Sequence, residues 1–95
     1  MSDVIHHAVE AMRAKVKGPF DSSAKFVIRD HGAIMLDSEG VRAGDEPADV
    51  TLTASVDTFR AIMDGDLAPM AAFMTGKLQV EGNMGTAMKL GAVLG

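Results

Sequence analysis

The residues of this chain able to do chemistry are few, and their spacing assembles no reactive centre. His6 and His7 are neighbours, so on a helix their imidazoles diverge by about a hundred degrees and cannot close on one metal ion. His31 falls in "RDHG", a turn in which polar residues are expected without a further role. Ser22 and Ser23 have no base beside them and lack the strained elbow that exposes an esterase nucleophile. Thr75-Gly76-Lys77 could close a phosphate loop, but Ala71 replaces the loop's first glycine and Leu78 stands where a serine or threonine must hold magnesium. Asp64-Gly65-Asp66 opens like a calcium loop, yet Ala68 takes the next ligand position and Pro69 that of the obligatory glycine. Asp45 and Glu46 read as solvated charge in a polar loop. Hydrolase or acyltransferase chemistry therefore has no nucleophile, base and orienting partner behind it, and no metal or cofactor is called for.

Composition bounds the remaining functions. Ninety-five residues support one core and so one domain. Nine basic against thirteen acidic residues give a formal charge of -4 with no basic face. This argues against nucleic acid and against strong attraction to an anionic membrane, both of which draw on positive charge. The absence of cysteine excludes disulfides, thiolate metal sites and thiol catalysis. "MSDVIHHAVEAM" lacks the basic start and apolar run of a signal peptide, and no stretch reaches the roughly 18 apolar residues of a membrane span. A soluble, cytoplasmic protein is expected.

The elements that would position any site follow from periodicity. Ile5, Val9, Met12 and Val16 share one stripe of a first helix, capped by Ser2 or Asp3 and stopped by Gly18-Pro19, which should lie on the outside of a sheet. Ala24, Phe26 and Ile28 alternate with Lys25, Val27 and Arg29. Strands over residues 33–37, 41–43 and 49–54 follow, separated by turns, and suggest an antiparallel meander. Ser55 or Asp57 then caps a helix carrying Phe59, Ile62 and Met63 that Gly65 ends. Asp66 is placed to cap a short helix with Pro69 in its first turn, carrying Met70, Phe73 and Met74. A strand over 77–81 and a last helix after Asn83 complete an α+β fold, a single mostly antiparallel five-stranded sheet covered by helices.

That last helix is the anomaly. Met84, Ala87, Met88, Leu90, Ala92, Val93 and Leu94 leave it only Thr86 and Lys89 to show to water, while Gly85 and Gly91 each weaken it by roughly 1 kcal/mol. It must hold its place by lying on apolar surface. One face can rest on the strands; the rest needs a bound lipid, a partner subunit or the two short helices. Of the eight methionines, Met63, Met70, Met74, Met84 and Met88 fall in this last third, and methionine repacks readily around different shapes.

"AAFMTGKLQVEGNMGTAMKL" closely resembles the C-terminal signature of the sterol carrier protein 2 family, with its Gly-Lys-Leu strand start, Gly-Asn-Met-Gly turn and Ala-Met-Lys-Leu helix. "ADVTLTASVDTFRAIMDGDLAPMAAF" and "AIMLDSEGV" extend the resemblance over residues 34–94. It implies a sheet and helices enclosing an apolar tunnel that takes a fatty acid, acyl-coenzyme A, sterol or phospholipid without enzymatic turnover. The expected lining is Phe59, Ile62, Met63, Met70, Phe73, Met74, Leu78, Val80, Met84, Met88 and Leu90, with Leu78 and Val80 also serving the core. Lys77 and Lys89 are placed either to meet an anionic headgroup or, as exposed lysines at a strand start and on a helix face usually do, to stay solvated, and Asn83 to cap the helix. The chain stops at "VLG" where many eukaryotic relatives end in a Ser-Lys-Leu type address, which leaves peroxisomal targeting unsupported. Its compressed first hairpin and missing tail predict a tunnel that is wider, shallower or open at one end. The competing expectation is an interaction module whose final helix is covered by a second copy or a partner enzyme.

Overall fold

The computed structural model describes residues 3–16 and 20–94; Ser2 as a cap and Gly18-Pro19 as a stop lie outside them. The order is α1 (Asp3–Lys15), β1 (Ala24–Ile28), β2 (Gly32–Asp37), β3 (Gly40–Ala43), β4 (Val50–Ala54), α2 (Val56–Met63), α3 (Pro69–Met74), β5 (Leu78–Gly82) and α4 (Met84–Leu94). In α1 the apolar stripe buries Ile5, Ala8, Val9 and Met12. Strand alternation holds equally well in β1 and β4, where every second residue is buried.

The five strands form one sheet in the order β3-β2-β1-β4-β5. Phe26 pairs with Ile34 and with Leu52, Ile34 with Ala43, and Leu52 with Val80. Paired residues share a face, so this row runs across the whole sheet, and the core joins it to residues of all four helices. The fold is thus two-layered, with the helices on one side.

The meander expectation holds for β1, β2 and β3 and fails for β4. That strand returns to the far side of β1 and runs parallel to it, from Ala24 opposite Val50 to Ile28 opposite Ala54. Alternation fixes which face of a strand is apolar but is silent on direction. The pairing is held at its start by Ser23 and Asp49: the Asp49 amide donates to Ser23 Oγ at 2.9 Å and the Ser23 amide to Asp49 Oδ2 at 3.2 Å.

Alternation does not foresee the burial of the sheet's outer face at Ala33 and Met35. The chain after β3 folds over it, with the Gly44 amide donating to the Ala33 carbonyl at 3.1 Å. Lys25 Nζ reaches Asp45 at 2.8 Å and Arg42 reaches Glu46 at 3.3 Å, which pins the flap. At the β2–β3 turn the Glu39 amide, 2.9 Å from Asp37 Oδ1, holds that carboxyl below the usual range, and Arg42 at 3.0 Å adds to the effect.

Candidate functional site

The inner face of the sheet is covered by α1 over β2 and β3, and by Phe59 of α2 against Phe26 of β1, whereas over β4 and β5 it stays partly open. Three local devices produce this opening. Ser55 Oγ accepts from the Thr58 amide at 3.2 Å and starts α2, which buries Phe59, Ile62 and Met63. After α2 the Asp66 and Leu67 amides both turn back to the Ala61 carbonyl, at 2.9 and 3.2 Å. Asp66 therefore closes α2 instead of opening α3, contrary to expectation; α3 begins at Pro69 behind Ala68, without a side-chain cap. Such a short helix is held by its neighbours, through the fully buried Ala72 and the Lys77 amide donating to the Ala72 carbonyl at 2.9 Å.

The third device places α4. Gly82 leaves β5 with φ +110, a backbone state open to glycine, and the next amide, of Asn83, donates to the Asp49 carbonyl at 2.8 Å. Asn83 Oδ1 then accepts from the Thr86 amide at 3.1 Å, the N-cap expected of it. Lys89 Nζ meets Asp21 at 3.4 Å, and Lys15 Nζ reaches the Leu94 carbonyl at 3.3 Å. Thr86, Leu90 and Leu94 form the buried stripe of the helix. Thr86, expected to face water, is thus buried, while Met84 and Met88 flank the stripe at the edge of the helix. The reason is register: with Leu90 and Leu94 committed to the core, the position one turn earlier must follow them, and threonine is small enough to fit there.

Between β1, β4 and β5 on one side and α2, α3 and α4 on the other lies a cavity of about 410 Å³. Its floor is Phe26, Leu52, Leu78 and Val80; Ile62 closes one wall; Pro69, Met70 and Phe73 of α3 face Met84, Ala87, Met88, Leu90, Gly91 and Leu94 of α4. Every side chain around it is apolar. Met70, Phe73, Met84 and Met88 stand exposed at its rim, so the cavity is open to solvent there. An apolar concavity of this size falls in the range that holds small organic ligands, roughly 300–1,000 Å³.

Of the expected lining, the structure gathers Ile62, Met70, Phe73, Leu78, Val80, Met84, Met88 and Leu90 around this space. Phe59 and Met63 lie elsewhere. They turn toward α1, where with Val4, His7, Ala8 and Arg60 they border a smaller, more polar depression. Phe59 also packs edge-on against Phe26, with centroids 4.7 Å apart and planes at 75°. One α2 stripe therefore serves two neighbours, and only Ile62 reaches the cavity. Met74 is exposed and does not line the cavity either. Phe26, Leu52, Ala87, Gly91 and Leu94 were not expected there. No sequence signal marked the first two, which the parallel pairing of β1 with β4 brings beside Val80, whereas the others lie one helical turn from Met84, Met88 and Leu90. Among the described residues no three His, Cys, Asp or Glu side chains gather as metal ligands, and no helix is long and apolar enough to cross a membrane.

A five-stranded sheet with helices on one face and an uncharged cavity between the layers defines an α+β domain built around an apolar receptacle. The profile of the SCP-2 sterol transfer family matches residues 5–95, and the chain belongs to that family. Human sterol carrier protein 2 is 40% identical over 80 residues, covering 80% of this chain and 14% of that protein. The chain thus corresponds to one small part of that relative. The crystal structure of sterol carrier protein 2 like 2 from Aedes aegypti superposes with a TM-score of 0.78 at 21% identity, over 95% of each chain. The solution structure of palmitated SCP2L2 from the same organism gives 0.70 at 25% identity, over 99% of this chain and 95% of that one.

Proposed function

We propose that this domain holds the hydrocarbon part of a single lipid, a fatty acyl chain or a molecule of like shape, in the cavity between β4, β5 and α4, and releases it unchanged. The observation that carries the reading is the uninterrupted apolar lining of a 410 Å³ space that the chain's own side chains leave unfilled. Each buried methylene contributes about 0.8 kcal/mol, so ten supply roughly 8 kcal/mol before the costs of ordering are subtracted. Affinity from the chain alone is then no better than about micromolar. The methionines Met70, Met84 and Met88 adapt to several ligand shapes, which favours breadth over selectivity. The palmitate named for the Aedes aegypti relative is in keeping with a ligand of this class. A polar headgroup would stay at the exposed rim, since no charged side chain lines the interior to receive it.

Native mass spectrometry of the purified protein with palmitate tests the reading. A monomer carrying one fatty acid supports it. An empty dimer that survives dilution would contradict it and favour a protein interface on α4 instead.

A further inference from the structure

Among the described residues, three of the four exposed methionines border the cavity. Met70, Met74, Met84 and Met88 are 61%, 75%, 49% and 68% exposed, while Met12 and Met35 are 1% exposed and Met63 9%. Met70 and Met74 lie one turn apart on α3, as do Met84 and Met88 on α4. Met70, Met84 and Met88 border the cavity and Met74 does not. Two chemically identical sets of thioethers therefore differ only in access, and within the accessible set three touch the cavity and one does not.

The geometry points to Met70, Met84 and Met88 as an oxidative modification site that governs lipid uptake, with hydrogen peroxide as the oxidant. The sulfur lone pair takes the distal oxygen of the peroxide, the O–O bond breaks, and the proton on the transferred oxygen passes to the departing hydroxide, which leaves as water. The thioether sulfur is oxidised by two electrons to the sulfoxide and the peroxide is reduced by the same two. The product is polar where the rim was apolar, and reductases that act on methionine sulfoxide reverse it. An acyl chain entering past three sulfoxides must strip water from each of them, which no side chain in the lining replaces. Because all three residues are exposed and none belongs to the buried core, the change leaves the fold in place.

The inference rests on the lipid-binding reading, and the test separates the two. The intact protein is treated with dilute hydrogen peroxide, with and without palmitate, and oxidation is mapped by peptide mass spectrometry. Palmitate affinity and the melting temperature are measured before treatment, after it, and after incubation with sulfoxide reductases. Oxidation should reach Met70, Met74, Met84 and Met88 before Met12, Met35 and Met63. Affinity should fall about tenfold with the melting temperature retained, and recover after reduction. Bound palmitate should slow oxidation at Met70, Met84 and Met88 and leave Met74 unaffected. A variant carrying Met70→Leu, Met84→Leu and Met88→Leu, compared with its own untreated state, should lose the peroxide response although Met74 still oxidises. Uptake before treatment that persists undiminished after full oxidation of the three sulfurs overturns the inference and spares the lipid-binding reading. Absence of uptake before any treatment overturns both.

Discussion

Replacing Gly91 with leucine separates two quantities that most cavity substitutions change together, stability and room for a ligand. Gly91 opens the last turn of α4 and borders the cavity, and a Cβ built on it meets no atom within 4 Å beyond the helix's own backbone. The first carbon of a new side chain therefore enters open space on the cavity side. Glycine costs a helix interior about 1 kcal/mol relative to better formers, so Gly91→Leu should stabilise the protein by somewhat less than that. In a domain of this size 1 kcal/mol corresponds to about 4–8 °C in melting temperature. The same four carbons occupy space a ligand would use. If they exclude about three methylenes at roughly 0.8 kcal/mol each, affinity falls by about 2.4 kcal/mol, or about fiftyfold. Gly91→Ala gives the graded control, with a similar thermal gain and a loss of about fourfold from one excluded methylene. Titration calorimetry with palmitate and thermal melts followed by circular dichroism measure both. Unchanged affinity in the leucine variant would refute placement of the ligand against α4, and a lower melting temperature would refute the openness of this helix face.

Met88→Glu puts a carboxylate at an exposed position of the rim; palmitate affinity should drop at least about tenfold while the melting temperature stays within a few degrees of the parent. Asn83→Ala removes the cap of α4 and should cost about 1 kcal/mol, read as a lower midpoint in urea with the slope unchanged. Gly82→Ala sets a methyl against the Asp49 carbonyl at a positive φ and should lower the melting temperature more than the Asn83 change does. Asp37→Asn tests a carboxylate whose ionisation is shifted by a defined contact, the Glu39 amide. Its folded pKa lies below its unfolded one, so the stabilisation is present above the unfolded value and disappears as the pH falls through the folded value. Thermal melts should then show the variant below the parent at neutral pH, with the two converging at acidic pH.

The elements were legible wherever burial is one-sided. The α1 stripe, the alternation of β1 and β4, the Ser55 and Asn83 caps and the Gly82 turn all express local physics that a chain carries in its residue order. The parallel return of β4 was not legible, because the contacts that fix it, Ser23 to Asp49 and Phe26 to Leu52, join residues 26 apart in sequence. The same limit shaped the reading of the site. Met70, Phe73, Met84 and Met88 stood out as apolar side chains in excess of what a core needs. Phe59 and Met63 did so too, yet they are absorbed by α1, a neighbour assigned by tertiary packing and not by helical period. Gly91 and Ala87 were invisible as lining because a small residue borders a void by what it lacks.

The claim that a lipid tail occupies the space under α4 is tested most directly by nuclear magnetic resonance of the protein labelled at its methionine methyls and titrated with palmitate. The signals of Met70, Met84 and Met88 should move and saturate at one equivalent, while those of Met12 and Met35, buried away from the cavity, stay in place. Signals that remain still at all three rim positions, or a response confined to Met63 between α1 and α2, would contradict it.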